Sequence, residues 1–278
     1  MTVMPIVDAP MVNATQVLRK MRGASQAHLM LADDSRYYVV KRDTPENRRT
    51  LVNEFLAGRF LEHLGFNTPR VAVVQLDGGK HYGSGFPGDP EKTVVYDFVP
   101  DPLLRKVENL REFAGLLAFD KWVGNADYRQ CVLVRNARLP GPRFQAIWID
   151  NGNAFGGSDW EIVDNPRKGL YLSSAAYETV RSWSDFEPWL QALRSFPEDL
   201  VEQTIDALPA EWVTGDHDRL RRLMDRLLLR RSRVAEHIER TIESKPEAFP
   251  NWKGNSVFSF PLRKGSHSFE RIATPQVA

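Results

Sequence analysis

Apolar residues in the first hundred positions mostly follow the two-residue period of β-strands, with one helical segment between them. Strands are predicted where β-branched and aromatic residues lie between turn residues, at positions 15–21, 27–31, 37–41, 71–74 and 93–99. Before the fourth strand, Pro45 and Glu46 suit a first helical turn, and apolar residues recur at helical spacing up to Gly65. The glycine- and proline-rich stretch 81–90 is predicted to be a loop.

The pattern after residue 100 is mainly helical. Apolar residues recur every three or four positions in four segments, which predicts helices at 107–123, from Phe186 onward, at 197–208 and at 216–242. Two short apolar runs predict strands at 131–134 and 146–149, and an irregular segment is predicted at 160–172. The chain is therefore expected to be an α+β protein with a β-rich part (1–100), a helical part (101–245) and a polar, partly disordered tail (246–278).

The composition is that of an ordinary globular protein, with 42% apolar and 26% charged residues. The 37 basic and 36 acidic side chains nearly cancel, so bulk charge does not favour direct binding of nucleic acid or a membrane. The single cysteine, Cys131, rules out an intramolecular disulfide. We expect a cytoplasmic protein, because the first residues do not resemble a signal peptide and no apolar run is long enough for a membrane helix.

Two aspartates occupy different settings between Phe119 and Phe155. Asp127 lies in a polar loop, where an aspartate is most often a turn or cap residue. Asp150 ends a continuous apolar run, and a carboxylate there is unfavourable unless a cation or hydrogen-bond donors meet it. Phosphoryl transfer uses such a pair: one carboxylate orients an attacking hydroxyl, and the other holds Mg²⁺ on the nucleotide phosphates.

Lys41 and Glu54 form a second candidate pair. Lys41 ends the third predicted strand, and Glu54 lies on the helix that follows it. Each alone is most simply a solvated surface residue. Together they match a lysine that contacts nucleotide phosphates and a glutamate that orients this lysine. In such a site the backbone around Tyr96 and Phe98 would contact the adenine edge, although a plain buried strand would also explain that segment.

The order of these features matches a bilobal protein-kinase-like fold, with a small β-rich N-lobe followed by a mainly helical C-lobe. The chain also resembles the HipA-like kinases, a family of bacterial serine/threonine kinases that includes the toxin kinases of toxin–antitoxin pairs. The resemblance covers about residues 15 to 160 and is weaker through 240. It is carried by the segments RGASQAHLML, YYVVKRD, RRTLVNEFLAGRFLEHLGFNTPRV, HYGSGFPGDP, FDKWVGNADYRQ and AIWIDNGNAF.

The resemblance implies transfer of the ATP γ-phosphoryl group to a hydroxyl, with Mg²⁺ as cofactor and a protein or peptide Ser/Thr as the favoured acceptor. Gly23, Ser25 and Gln26 would lie in the loop that covers the phosphates, although this loop lacks a G-x-G-x-x-G pattern. Lys41 would contact the phosphates and Glu54 would orient it. Ser25 is also a candidate for autophosphorylation, but an unmodified loop serine is the simpler interpretation.

By the same resemblance, Asp127 would be the catalytic base or would orient the hydroxyl, and Asp150 would bind Mg²⁺. The chain departs from the family pattern in its catalytic loop, where Arg129 replaces a histidine and Val132 replaces a metal-binding asparagine. Arg129 is then expected to stabilise charge on the transferred group. Three amide side chains could supply the missing metal ligand: Gln130 first, and otherwise Asn125 or Asn153.

Two other functions stay open from the sequence. A small-molecule phosphotransferase of the aminoglycoside or choline kinase type would use an acidic pocket for a cationic substrate, and the candidate residues for that pocket are Glu161, Asp164, Glu178 and Asp185. A nucleotide-binding pseudokinase would follow from the loss of the asparagine at Val132. A toxin kinase would also have an antitoxin-like protein partner, through which it could reach DNA without binding nucleic acid directly.

Overall fold

A five-stranded closed β-barrel begins the chain in the computed structural model, which describes residues 9–22, 26–135, 141 and 143–254. The strands are β1 (Met11–Lys20), β2 (His28–Ala32), β3 (Tyr37–Lys41), β4 (Val71–Leu76) and β5 (Gly79–Gly85). Their order is β1-β2-β3-β5-β4, and the parallel pairing of β1 with β4 closes the barrel. Along β3, Tyr38 and Val40 are buried in the barrel core, so Lys41 lies on the opposite face.

Helix α1 (Arg48–His63) packs between the barrel and the C-terminal part of the chain. It is buried over most of its surface, including the polar residues Asn53 and Glu54. Gly58 allows the helix to approach the barrel closely, because a Cβ atom there would lie 2.6 Å from Cγ2 of Val71. The side chains of α1 belong to the same apolar core as the helices that follow, which fixes the helix relative to both parts.

The C-terminal part combines a small sheet with helices. The sheet has the antiparallel order β6-β7-β8, formed by Val95–Tyr96, Gln130–Arg135 and Phe144–Ile149. The helices are α2 (Asp101–Leu104), α3 (Glu112–Val123), α4 (Glu187–Arg194), α5 (Glu198–Asp206), α6 (His217–Arg230) and α7 (Val234–Ser244). Helix α3 is almost wholly buried at the centre, where it contacts α4, α6 and α7. No helix within the described ranges is long and apolar enough to cross a membrane.

Two predictions in the connection between the two parts are wrong. The stretch 81–90 was expected to be a loop, but its first half belongs to β5. Gly83 has a packing role in that strand, since a Cβ atom there would lie 2.5 Å from Cγ2 of Val74. The strand expected at 93–99 is reduced to Val95–Tyr96, and it pairs with β7 rather than with the barrel.

Two predicted helices have different boundaries in the structure. The helix expected from 107 begins only at Glu112, because Val107 forms a bridge with Phe144 and Asn109 exchanges two hydrogen bonds with the backbone of Ala146. The helix expected over 216–242 is two helices separated by the 3₁₀ turn Arg231–Arg233. The irregular segment predicted at 160–172 contains no regular helix or strand, as expected.

The expected tail lies mostly outside the described residues. Its first residues, through 254, continue the folded part. Phe249 is buried against Tyr177, with ring centroids 5.0 Å apart, and Trp252 packs edge-to-face on Trp183 at 5.7 Å. Aromatic side chains without helical or strand period thus anchor this segment, which is why periodicity alone assigned it to the tail.

Candidate active site

Lys41, Glu54 and Asp150 form a cluster of opposite charges where the barrel, α1 and β8 meet. The Lys41 ammonium pairs with the buried Glu54 carboxylate and lies 3.2 Å from Oδ1 of Asp150. Burial opposes the charged form of Lys41, but Glu54 and Asp150 together raise its pKa above the ordinary value. Burial likewise opposes the charged form of Asp150, but Lys41 leads the interactions that bring its pKa below the ordinary value. Lys41 and Asp150 are therefore both charged at neutral pH.

The turn that follows β8 is fixed to α1 by hydrogen bonds. Asp150 has a left-handed backbone conformation, with φ of 61°, which is uncommon for a residue other than glycine. The next N–H, of Asn151, donates to Oε2 of Glu54 at 3.0 Å. The amide of Asn53, one residue earlier on α1, donates to the carbonyl of Gly152 at 2.8 Å. Helix α1 therefore sets both the position of Lys41 and the direction of Asp150.

The Asp127 loop begins where α3 ends, at Gly124 with φ of 61°. The side chain of Asn125 accepts a hydrogen bond from the N–H of Asp127 at 3.0 Å, which holds the loop in a tight turn. The N–H of Ala126 donates to the carbonyl of Asn153 at 2.8 Å, and the Asn153 amide lies 3.5 Å from Oδ2 of Asp127. The two candidate carboxylates thus lie on adjoining loops. The Asp127 side chain stays 42% exposed and accessible to a ligand.

Arg129 occupies a different place from the one expected for a phosphoryl-stabilising residue. Its side chain is 1% exposed and forms a buried ion pair with Asp120 of α3. It also donates to Oδ1 of Asn151 at 2.9 Å and to the carbonyl of Ile149 at 3.3 Å. The guanidinium therefore lies in the protein interior behind the site, where it connects α3 to the Asp150 turn. This geometry supports a structural role for Arg129 and corrects the expected contact with the transferred group.

A lysine from the irregular segment lies beside Asp127. Nζ of Lys168 is 3.7 Å from Oδ1 of Asp127 and 4.6 Å from the centre of the Tyr128 ring. The N–H of Gly169 donates to the carbonyl of Asp127 at 2.7 Å. The buried amine of Lys121, on α3, donates to three carbonyls of the segment 165–168. These contacts hold the irregular segment against the Asp127 loop.

The candidate metal ligands differ in how available they are. Asp150 has a side chain 34% exposed, and Asn153, three residues later in the same turn, is also exposed. Both polar atoms of the Asn125 side chain already have hydrogen-bond partners, because its nitrogen donates to Asp120 and its oxygen accepts from the N–H of Asp127. Gln130 is exposed at the first position of β7. Among the described residues no group of three His, Cys, Asp or Glu side chains could hold a metal ion. A metal here would use carboxylate and amide oxygens together with water and phosphate, as Mg²⁺ commonly does.

An open cavity of about 560 Å³ lies at the opposite end of β3 from Lys41. Tyr37 of β3, Phe86 after β5, and Ile147 of β8 are among its lining residues. Tyr37 and Lys41 are on the same face of β3, and four strand residues span about 13 Å. The cavity and the charged cluster thus lie along the same face of one strand.

The other predicted nucleotide contacts are not brought to this cavity. Tyr96 packs edge-to-face on Phe144, with ring centroids 5.7 Å apart, and the Phe98 side chain is 70% exposed. Neither residue lines the cavity. Gln26 is exposed and has a φ of 47° at the end of the loop between β1 and β2. Gly23 and Ser25 lie outside the described residues.

No profile of a known protein family and no curated protein matches the sequence. Solved structures do match the fold. The Helicobacter pylori proinflammatory kinase CtkA aligns with a TM-score of 0.54 and 15% identity, over 84% of this chain and 99% of that one. HipA of the Shewanella oneidensis MR-1 toxin–antitoxin system, solved with HipB and operator DNA, aligns with a TM-score of 0.50 and 12% identity, over 80% of this chain and 67% of that one. The fold is kinase-like.

At identities of 12% and 15% these likenesses establish a fold and not a substrate. A Golgi casein kinase matches with a TM-score of only 0.46 and adds no argument. The kinase-like fold accounts for the order of the two regions, in which a β-rich N-terminal region is followed by a helical C-terminal region.

Sequence reasoning missed four residues that shape the site: Asn53, Asp120, Lys121 and Lys168. Asp120 and Lys121 carried a signal, because they are charged residues inside an otherwise apolar helix and had to be satisfied there. Asn53 likewise is a polar residue on a buried helix. Lys168 carried no signal, since its place depends on how an irregular segment crosses the Asp127 loop.

Proposed function

We propose that this chain is a HipA-like kinase, which transfers the γ-phosphoryl group of ATP to a hydroxyl with Mg²⁺ as cofactor. The observation that carries the proposal is the charged cluster of Lys41, Glu54 and Asp150 beside the exposed carboxylate of Asp127. A lysine held by a helix glutamate, a carboxylate after a strand and a carboxylate on a loop are the parts that phosphoryl transfer requires. The favoured acceptor is a Ser or Thr hydroxyl of a protein or peptide.

The proposed roles follow from exposure and charge. Lys41 binds phosphate oxygens of the nucleotide, and Glu54 keeps its ammonium directed toward them. Asp127 accepts a hydrogen bond from the acceptor hydroxyl and takes its proton as the bond to phosphorus forms. Asp150, with Asn153 in the same turn, would hold Mg²⁺ through hard oxygen donors. Bound Mg²⁺ would neutralise the charge that develops on the β- and γ-phosphates.

We place the adenine in the cavity at Tyr37, Phe86 and Ile147 rather than at Tyr96 and Phe98. Tyr96 packs against Phe144, and Phe98 lies away from the cavity lining, so neither side chain would contact an adenine bound there. The cavity itself suits a nucleotide base, because its volume of about 560 Å³ falls in the range of small-molecule sites and it aligns with Lys41 along β3.

The small-molecule alternative has less support from the side chains. The four acids that could form a pocket for a cationic substrate are separately engaged. Asp164 bonds Arg230, Glu178 bonds Arg105 and Asp185 accepts from backbone N–H groups of the preceding turn. Glu161 is 76% exposed, 3.9 Å from Arg219. They therefore do not gather into one acidic pocket.

The pseudokinase alternative rests on Val132, which lies on β7 where the family pattern has a metal-binding asparagine. A valine side chain has no donor atom for Mg²⁺. If neither Asn153 nor Gln130 replaces that ligand, the chain would bind nucleotide without efficient transfer. This outcome is separated from the kinase by measuring binding and transfer in the same preparation.

The experiment incubates the full chain with Mg²⁺ and γ-labelled ATP, alone and with a degenerate Ser/Thr peptide mixture, and locates phosphate by mass spectrometry. ATP binding is measured in parallel by calorimetry. We expect Asp127→Asn to retain binding and lose transfer, and Asp150→Asn to lose Mg²⁺-dependent binding. Asp206→Asn, which changes an exposed acid at the end of α5, serves as the matched control and should behave as the unchanged chain.

Three results would redirect the proposal. ATP binding without transfer in Mg²⁺ or Mn²⁺ selects the pseudokinase. Phosphorylation of an aminoglycoside or choline, but of no peptide or protein, selects the small-molecule enzyme. Neither binding nor transfer in the folded chain overturns the assignment altogether.

An antitoxin-like protein partner is part of the proposal by likeness to the Shewanella HipA, which was solved with HipB and operator DNA. The near-balanced charge of this chain gives no reason to propose direct contact with nucleic acid. Co-expression with an adjacent gene product, followed by size-exclusion chromatography, tests the partner. Separate elution of the two proteins at micromolar concentration would count against it.

A further inference from the structure

Arg129, two residues after Asp127, does not present its charge to the open side of the site. Its side chain is buried, and its charge is neutralised by Asp120. A phosphoryl group in transfer carries developing negative charge on its oxygens, and kinase-like sites place cations against it. A protein cation at the exposed face of Asp127 would therefore have to come from another part of the chain.

Lys168 is placed where that cation would act. Its ammonium lies 3.7 Å from Oδ1 of Asp127, and its side chain is 32% exposed, so it is accessible to a ligand that binds at Asp127. The ring of Tyr128 lies beneath it, with its centre 4.6 Å from Nζ. The aromatic ring orients the ammonium group but, unlike a second carboxylate, does not neutralise its charge.

The backbone of Lys168 is fixed by contacts that do not involve its side chain. The next residue, Gly169, donates its N–H to the carbonyl of Asp127 at 2.7 Å, and the N–H of Arg129 donates to the carbonyl of Leu170 at 3.0 Å. From below, the buried amine of Lys121 donates to the Lys168 carbonyl at 2.7 Å. Three hydrogen bonds therefore join this segment to the catalytic loop and to α3.

We propose that Lys168 is a catalytic residue that contacts the transferring phosphoryl group, in the place that Arg129 does not fill. This inference rests on the proposed kinase function. In the step, the acceptor oxygen forms a bond to the γ-phosphorus while its proton passes to the Asp127 carboxylate. The bond between the γ-phosphorus and the bridging oxygen breaks, and ADP leaves with that electron pair. Lys168 keeps its proton throughout and stabilises the equatorial oxygens by charge and hydrogen bonding.

The simpler interpretation is a surface ion pair between Lys168 and Asp127, which would contribute little to stability. Two features argue for the catalytic role. The 3.7 Å separation is longer than a hydrogen bond, so the ammonium is not bound tightly to the carboxylate. The backbone hydrogen bonds of Lys168 and of the two residues after it fix this lysine at the exposed carboxylate, unlike a mobile surface lysine.

The test compares Lys168→Met and Lys168→Arg with the full, unchanged chain. The matched control is Lys245→Met, which removes a lysine of similar exposure, 35%, that pairs with Glu247 at 2.9 Å. We expect Lys168→Met to lower kcat by about 100- to 1,000-fold, the usual cost of losing one charge-stabilising donor. The Kd for Mg·ATP should change by less than about threefold, because the contact forms in the transition state. Lys168→Arg, which keeps the charge, should recover kcat to within roughly tenfold of the unchanged chain.

Each other outcome has a definite meaning. Transfer by Lys168→Met at more than a third of the original kcat overturns the catalytic role of Lys168 and leaves the kinase intact. A loss of kcat that comes with lost ATP binding or lower thermal stability, and that Lys168→Arg does not rescue, assigns Lys168 a structural role and also overturns the inference. If the unchanged chain neither binds ATP nor transfers phosphate, the proposed function fails and the inference fails with it.

Discussion

The buried carboxylate of Glu54 accepts a hydrogen bond of 3.0 Å from the N–H of Asn151, the residue that follows Asp150. The same carboxylate pairs with Lys41. One side chain on α1 therefore orients both the lysine that would meet the phosphates and the turn that would hold the metal. A displacement of α1 would therefore break its contacts with Lys41 and with the Asp150 turn at the same time.

Glu54→Gln is expected to lower kcat/KM for phosphoryl transfer by about 10- to 100-fold, because the groups that bind nucleotide and metal lose their common orienting charge. The matched control is Glu62→Gln on the same helix. Glu62 is partly buried, pairs with Arg59 and accepts the N–H of Val71 at 2.8 Å, so its partners are not Lys41 or the Asp150 turn. Steady-state kinetics should show the loss only in Glu54→Gln. An equal loss in both variants would mean that stability of α1, and not Glu54, is responsible.

The residues whose places were predictable are those fixed by local periodicity. Lys41 follows from the alternation of β3, Glu54 from the helix after it, and Asp150 from the end of an apolar strand. Asp127 follows from the polar loop after α3. The strand and helix pattern also predicted the change from a β-rich to a helical part, which the kinase-like fold contains.

The residues that sequence reasoning misplaced or missed are those whose partners belong to a different structural segment. Arg129 was expected at the open side of the site, but its side chain is buried and forms an ion pair with Asp120, a buried acid on α3. Lys168 is 41 positions from Asp127, and only the crossing of an irregular segment brings them together. No periodicity encodes such pairings, because they depend on tertiary contacts between segments of different structure.

Arg129→Met is expected to destabilise the protein by about 3 to 5 kcal/mol, because it leaves the Asp120 carboxylate buried and unpaired. The double variant Asp120→Asn with Arg129→Met removes the uncompensated charge and keeps an acceptor for the Asn125 amide. It should recover at least half of the loss. Urea unfolding followed by tryptophan fluorescence measures both values. If instead Arg129→Met unfolds like the unchanged chain but loses transfer, the catalytic role first expected for Arg129 would be restored.

Gly169→Ala is expected to cost about 2 to 4 kcal/mol and to lower transfer as the segment that carries Lys168 is displaced. Gly169 has a φ of 80°, and a Cβ atom there would lie 2.6 Å from Cβ of Asp120. Gly215→Ala is the matched control, because Gly215 has a φ of 82° with no heavy atom within 4 Å of the added Cβ. It should cost only about 1 kcal/mol from backbone strain and leave transfer unchanged. Equal losses in the two variants would show that contact with Asp120 is unimportant.

The stability of the protein is expected to rise with pH above about 8 through Lys121. Burial lowers the pKa of this amine from 10.5 to about 8, against the opposing effects of Asp120 and Asp164. Below pH 8 the amine is protonated in both the folded and the unfolded chain. Between 8 and 10.5 the folded chain releases the proton while the unfolded chain keeps it. The unfolded state then binds more protons, so the free energy of unfolding increases with pH across this window.

The measurement compares urea unfolding of the unchanged chain with that of Lys121→Met at several pH values from 7.5 to 10, so that the titration of all other groups cancels. The difference in unfolding free energy should increase by about 1 to 3 kcal/mol over this range. Lys245→Met, which removes a more exposed lysine, should run parallel to the unchanged chain. A difference that stays flat would mean that the three carbonyls around Lys121 hold its amine in the charged form up to pH 10, since hydrogen bonds to the ammonium favour its proton and oppose the effect of burial.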